Sequence, residues 1–148
     1  MNVRALPLLI SLLMPTLLTA EEHRFVRKVK LPSGQMAVIA EGDFEARSLG
    51  SFTVRLYDKA EAQDETTFFS SGVVLSRNGA VETVLLGDID KDKNPEIIVN
   101  VRSVGSGSYL SAHAFTIEGG TVRLARSLSE LKANADTLAE LRSAVGYQ

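Results

Sequence analysis

The residues best suited to surface chemistry form one short run, Arg102-Ser103-Val104-Gly105-Ser106-Gly107-Ser108-Tyr109. Two glycines and three serines give it little side-chain bulk. Glycine permits backbone angles that other residues avoid, so the run can turn tightly and approach another surface closely. Tyr109 adds one large ring with a hydroxyl. Small polar groups around an aromatic anchor suit recognition more than catalysis. Arg102 at the start of the run and Arg123 after the next turn bring positive charge, in the side chain suited to a bidentate grip on a carboxylate. Composition alone fits a plain connecting loop of a β-protein equally well.

A second run, Asp88-Ile89-Asp90-Lys91-Asp92-Lys93-Asn94-Pro95-Glu96, sets oxygen ligands at alternate positions, as a calcium loop requires. Asp88, Asp90 and Asp92 are its candidate ligands. Lys93 stands where such a loop needs glycine, and Val99 where an EF-hand has its bidentate glutamate. Lys91 and Lys93 also oppose a cation. The competing reading is a polar turn in which Asp and Asn bond to their own backbone.

Catalysis has little to work with. His23 and His113 are the two histidines and there is no cysteine, so neither a metal cluster nor a nucleophile–base pair assembles from these types. Ser129-Glu130-Leu131-Lys132 spells Ser-x-x-Lys without the partner motifs of penicillin-recognising enzymes. Gly105-Ser106-Gly107 lacks the spacing of a nucleophile elbow. Glu82 and Asp88 could pair as carboxylates, yet nothing singles them out. A non-enzyme without a cofactor is expected. Phe44, Tyr57, Phe68 and Phe69 could form a sugar-stacking platform, but tryptophan is absent and core packing suits Phe68 and Phe69 better. A periplasmic calcium- or carbohydrate-binding β module is the alternative to a protein-binding one.

The elements that must hold these residues are mostly strands. Residues 1–20 read as a secretory signal peptide: Arg4, an apolar run Leu6 to Leu18, and Ala20 ahead of Glu21-Glu22. Pro7, Pro15 and the shortness of that run argue against a membrane anchor. The expected mature domain is 21–148, one domain of 128 residues. Without Arg4 it has 15 Lys+Arg against 18 Asp+Glu, a net charge of -3, too mild for a nucleic-acid partner. Lacking cysteine, it must be held by its core.

Period-2 alternation at Phe52-Val54-Leu56, Val81-Thr83-Leu85 and Ile97-Val99-Val101 predicts half-buried strands. Gly72 suggests a bulge, and Asn78-Gly79 and Glu118-Gly119-Gly120 read as hairpin turns. Leu128, Leu131, Ala135, Leu138, Leu141 and Val145 fall at helical spacing, with Ser127 and Glu130 as a capping box. The expectation is a mainly β antiparallel sandwich or flattened barrel of seven or eight strands, closed by one C-terminal amphipathic helix.

Gly87-Asp88-Ile89-Asp90, Pro95-Glu96-Ile97-Ile98-Val99, Arg102-Ser103 and Ser106-Gly107-Ser108-Tyr109 together resemble the periplasmic inhibitors of invertebrate-type lysozyme. The Ser-Gly-x-Tyr motif of that family is matched by Ser106, Gly107 and Tyr109. Inhibitors of chicken-type lysozyme have a longer Ser-Gly-x-x-Tyr spacing, and many carry cysteines. The resemblance implies a β-sandwich-like periplasmic protein, often a homodimer, that inserts loops into the lysozyme cleft. In that setting Ser106 would bond a catalytic carboxylate, Tyr109 would anchor the loop or fill a sugar subsite, and Arg123, ahead of Arg126, would meet a second acid. Gly105, Ser108 and Arg102 would support the loop.

Overall fold

The structure is a computed structural model that describes residues 23–144; the expected signal peptide and Val145 lie outside that range. Eight strands run in chain order: β1 Val26–Lys30, β2 Met36–Glu41, β3 Leu49–Tyr57, β4 Phe69–Asn78, β5 Ala80–Gly87, β6 Glu96–Arg102, β7 Leu110–Glu118 and β8 Thr121–Leu131. A 3-10 turn, Ala62–Asp64, lies between β3 and β4, and the helix α1, Thr137–Ser143, follows β8. The strands form two four-stranded antiparallel meanders, β1-β2-β3-β4 and β5-β6-β7-β8. The sheets stay separate, so the fold is a sandwich and not a barrel.

Alternation explains the core. Ala37, Ile39, Phe52, Val54 and Leu56 of the first sheet meet Val81, Val84, Ile97, Val99, Val101 and Phe115 of the second. Phe52 and Phe115 cross between the sheets edge to face, centroids 6.1 Å apart, the arrangement the ring quadrupole favours. β6 is buried on both faces because α1 covers its outer side: Ile98, Ala112, Ala114 and Leu141 form a second apolar cluster there. Among the described residues no helix is long and apolar enough to cross a membrane.

Three expectations about elements are corrected. Asn78-Gly79 is no hairpin: β4 pairs with β3 and β5 with β6, so this link carries the chain from one sheet to the other. Ser127 and Glu130 do not cap a helix, because both lie in β8; α1 is capped by the Asp136 carboxylate, which accepts from Ala139 N–H at 3.1 Å. Phe68 and Phe69 are not core: they are 55% and 59% exposed, because Phe69 begins the edge strand β4, where it meets Tyr57 edge to face at 5.9 Å. The bulge expected near Gly72 is present, between the Leu56–Ser71 and Tyr57–Phe69 pairs. The Glu118 to Thr121 turn is a true hairpin, with Gly119 and Gly120 at φ 55° and 78°.

Candidate functional site

The Ser-Gly-x-Tyr run emerges from the end of β6 and returns as β7. Its base is closed by Ser103 N–H donating to Tyr109 C=O at 2.9 Å, and its tip by Ser108 N–H donating to Gly105 C=O at 3.3 Å. Gly105 and Ser108 take left-handed angles, φ 137° and 45°. Ser106 and Gly107 are exposed, Tyr109 is 52% exposed, and Val104 also faces solvent. The Tyr109 ring folds back onto Gly107, where a Cβ would overlap its edge. The motif spacing therefore has a physical reason: only a residue without a side chain leaves room for the tyrosine two positions on.

Arg102 holds this loop from within. Its guanidinium donates to Ser108 C=O at 2.8 Å and to Ala133 C=O at 3.2 Å, and pairs with Glu82 at 2.8 Å. One side chain thus joins the loop, β5 and the segment leading into α1. Its charge faces Glu82 and is committed to the fold, whereas the composition alone suggested a grip on a partner. Charge-assisted bonds of this kind are stronger than neutral ones, and a planar fork can serve several acceptors at once.

The other sequence candidates lie elsewhere. Arg123 pairs with Thr116 near the β7–β8 hairpin, at the far end of β7 from Leu110 and the loop. Six residues of extended strand put roughly 20 Å between them. The expected convergence of Arg123 with Ser106 and Tyr109 is therefore absent within one chain. The acidic turn is also at that far end, entering β6 at Glu96. It brings carboxylate oxygens of Asp88, Asp90 and Glu96 within 4.8 Å of one another, with Glu96 in the place expected for Asp92. Its acceptors serve the turn itself: Asp88 takes Lys91 and Lys93 N–H at 2.6 and 3.0 Å, and Asp92 takes Asn94 N–H at 2.7 Å. Asn94 bonding holds the Asp92 carboxyl below the usual carboxylate range, while burial pushes that of Glu96 up. A concavity of about 320 Å³ beside this turn, lined by Leu31, Gln35, Asp90, Glu96 and Glu118, carries no nucleophile–base pair. The aromatic quartet is split: Tyr57 and Phe69 meet edge to face, while Phe44 follows the opposite end of β2.

His113 is half-buried on the inner side of β7. It tilts against Phe52 at 5.5 Å, and its Nδ1 bonds Ser127 Oγ at 2.8 Å. Burial lowers its pKa below the ordinary value. It is a satisfied packing histidine.

Sequence reasoning missed what stands beside the loop. Gly79 N–H donates to Ser48 C=O at 2.8 Å, and a Cβ on Gly79 would overlap the Arg102 carbonyl. The 42–48 connection and the 103–109 loop therefore share one end of the sandwich, separated only by the backbone of residue 79. The signal was present in Asn78-Gly79, but a hairpin reading used it up.

A two-sheet sandwich that projects a small, internally braced loop, with its side-chain hydroxyl and phenol exposed, has the form of a protein-binding module. The chain matches the family model described as periplasmic lysozyme inhibitor of I-type lysozyme over residues 23–145. The chain belongs to that family. Two solved structures are similar at 42% identity: the periplasmic lysozyme inhibitor of I-type lysozyme from Aeromonas hydrophila (TM-score 0.75, 79% of this chain and 98% of that one), and the Aeromonas hydrophila inhibitor in complex with Meretrix lusoria lysozyme (TM-score 0.74, 80% and 95%). No curated protein matches significantly. The periplasmic location expected from the sequence is the one in the family's description.

Proposed function

We propose that this protein inhibits an invertebrate-type lysozyme by placing the 103–109 loop in its substrate groove. The observation that carries the reading is the Gly107–Tyr109 contact, which builds a narrow loop of fixed shape with Ser106 and Tyr109 exposed. Lysozymes cleave glycosidic bonds with acidic residues in a groove shaped for a sugar chain. The Ser106 hydroxyl donates to one such carboxylate and displaces its water. The Tyr109 ring, amphipathic like a sugar face, fills a subsite. Preorganisation matters because a loop already held by Arg102 loses little freedom on binding. Arg123 stands outside this contact, for the distance given above. The family membership and the Aeromonas complex support the partner class.

Export completes the reading: cleavage after Ala20 delivers the domain to the periplasm, where foreign lysozyme meets peptidoglycan. Titration of the purified mature chain against lysozymes of the invertebrate, chicken and goose types tests the function. Stoichiometric loss of activity is expected with the first alone. Undiminished invertebrate-type activity at molar excess overturns the proposal.

A further inference from the structure

Phe44 is the anomaly of the molecule. It lies in the 42–48 connection, its ring is fully exposed, and its backbone sits at φ 61°. Left-handed angles are uncommon and costly for a bulky non-glycine residue. Such strain persists only where the surroundings over-determine it.

Here they do. The Glu45 carboxylate sits between Gly42 and Gly50, where a Cβ on either would overlap it. It accepts from Ser51 N–H at 2.6 Å and Ser51 Oγ–H at 2.7 Å. The buried Arg77 guanidinium donates to the carbonyls of Ala46, Arg47 and Ser51 at 3.0, 2.8 and 3.0 Å, and lies 3.5 Å from Glu45. Arg24 donates to the Glu45 carbonyl. Residues 45–47 on its C-terminal side are tied down, yet the ring itself is left in water. Folding gains nothing from an aromatic so placed, whereas binding gains a large rigid surface at little entropic cost.

Position decides the partner. The connection and the Ser-Gly-x-Tyr loop share one end of the sandwich, linked through Ser48, Gly79 and Arg102. We infer that the 42–48 connection is a second contact arm, with the Phe44 ring packing on apolar surface at the rim of the same lysozyme groove that the 103–109 loop enters. This rests on the function proposed above, and extends it from one loop to a two-armed surface.

The test uses Phe44→Gly in the mature chain, beside Ser106→Ala/Tyr109→Ala. Glycine accepts the left-handed angle, so this variant loses the ring without losing the fold. The expected result is inhibition weakened at least about tenfold, as for an aromatic hot spot, with a melting temperature equal to or above the parent's. Full inhibition by Phe44→Gly, with loss in the Ser106/Tyr109 variant, overturns the second arm and leaves the first standing. Loss by Phe44→Gly, with full inhibition by the Ser106/Tyr109 variant, keeps the arm and overturns the loop reading. Full inhibition by both overturns both. A fall from dimer to monomer mass in light scattering for Phe44→Gly would assign the ring to self-association and overturn the inference.

Discussion

The Tyr109 ring lies in the space where a side chain on residue 107 would begin. Gly107 and Tyr109 therefore act as one unit, and their separation by a single residue is a packing requirement. Gly107→Ala tests it. The methyl group displaces a ring, not backbone, so the ring swings away while the fold stays. Inhibition of invertebrate-type lysozyme should fall at least about tenfold, the scale of a lost hot spot. The melting temperature should hardly move, because residue 107 is exposed. Unchanged potency in the inhibition titration would contradict the shape argument.

Arg102 sets the loop against its scaffold, and its substitutions should separate stability from binding. Arg102→Ala removes the bonds to Ser108 and Ala133 and the partly exposed pair with Glu82. Its cost in urea unfolding should be about 1–2 kcal/mol, mostly from the carbonyl bonds, since exposed pairs contribute little. Arg102→Lys should recover part of that stability but little inhibition, because an ammonium cannot reproduce the fork. Equal inhibition by parent and Arg102→Lys would remove Arg102 from the positioning role.

How far the sequence revealed this arrangement depends on the kind of signal. Alternation in β3 exposed a strand buried on one face, which forces period 2. The expected period fails in β5, where a bulge between Val81 and Thr83 turns Val84 to the core, and in β6, which is buried on both faces. The Ser-Gly-x-Tyr run was visible because glycine and serine clusters mark loops. The helix start was misplaced for a physical reason. A bulge lets Leu131 pair with Leu110 and Leu128 with Ala112, with Glu130 at φ 57° between them. That extra residue puts Leu128 and Leu131 on one face three positions apart, imitating a helix from within a strand. The neighbourhood of Phe44 and Ser106 was hidden because it depends on tertiary approach at Gly79, which no local pattern encodes. Arg123 was misjudged likewise: closeness in the chain across a hairpin was read as closeness to a loop at the strand's other end.

Arg77 should dominate stability. Its side chain and that of Glu41 are both buried, 3.8 Å apart, and Glu41 also accepts from Val81 N–H at 2.7 Å. Arg77→Leu would strand the Glu41 charge and free two carbonyls of the Phe44 connection, Ala46 and Arg47, with those of Ser51 and Gly79. Breaking a buried pair from one side typically costs about 3–5 kcal/mol. Adding Glu41→Gln should restore part of the loss, because the amide keeps an acceptor for Val81 without a charge. Denaturant unfolding of the single and double variants measures both. A loss in Arg77→Leu no greater than that of a surface substitution would mean the pair is dispensable.

His113 should make the fold acid-sensitive. Burial lowers its pKa in the folded chain from the ordinary 6.5. Between the two values the unfolded chain binds more protons, so stability rises with pH there. The contribution is fully present above 6.5 and is lost as pH falls through the folded value. Protonation would place charge beside Phe52 and remove the Nδ1 acceptor option toward Ser127. Glu96 acts in the opposite sense. Burial raises its pKa above 4.5, so its stabilising contribution is present below 4.5 and is lost as pH rises through the folded value. Melting curves of the parent, His113→Gln and Glu96→Gln from about pH 4 to about pH 8 separate the two, since carboxylates and histidine both titrate within that range. His113→Gln should flatten the decline toward acid, and Glu96→Gln should steepen it, because the opposing contribution is gone. An identical acid decline in parent and His113→Gln would assign the sensitivity to another group.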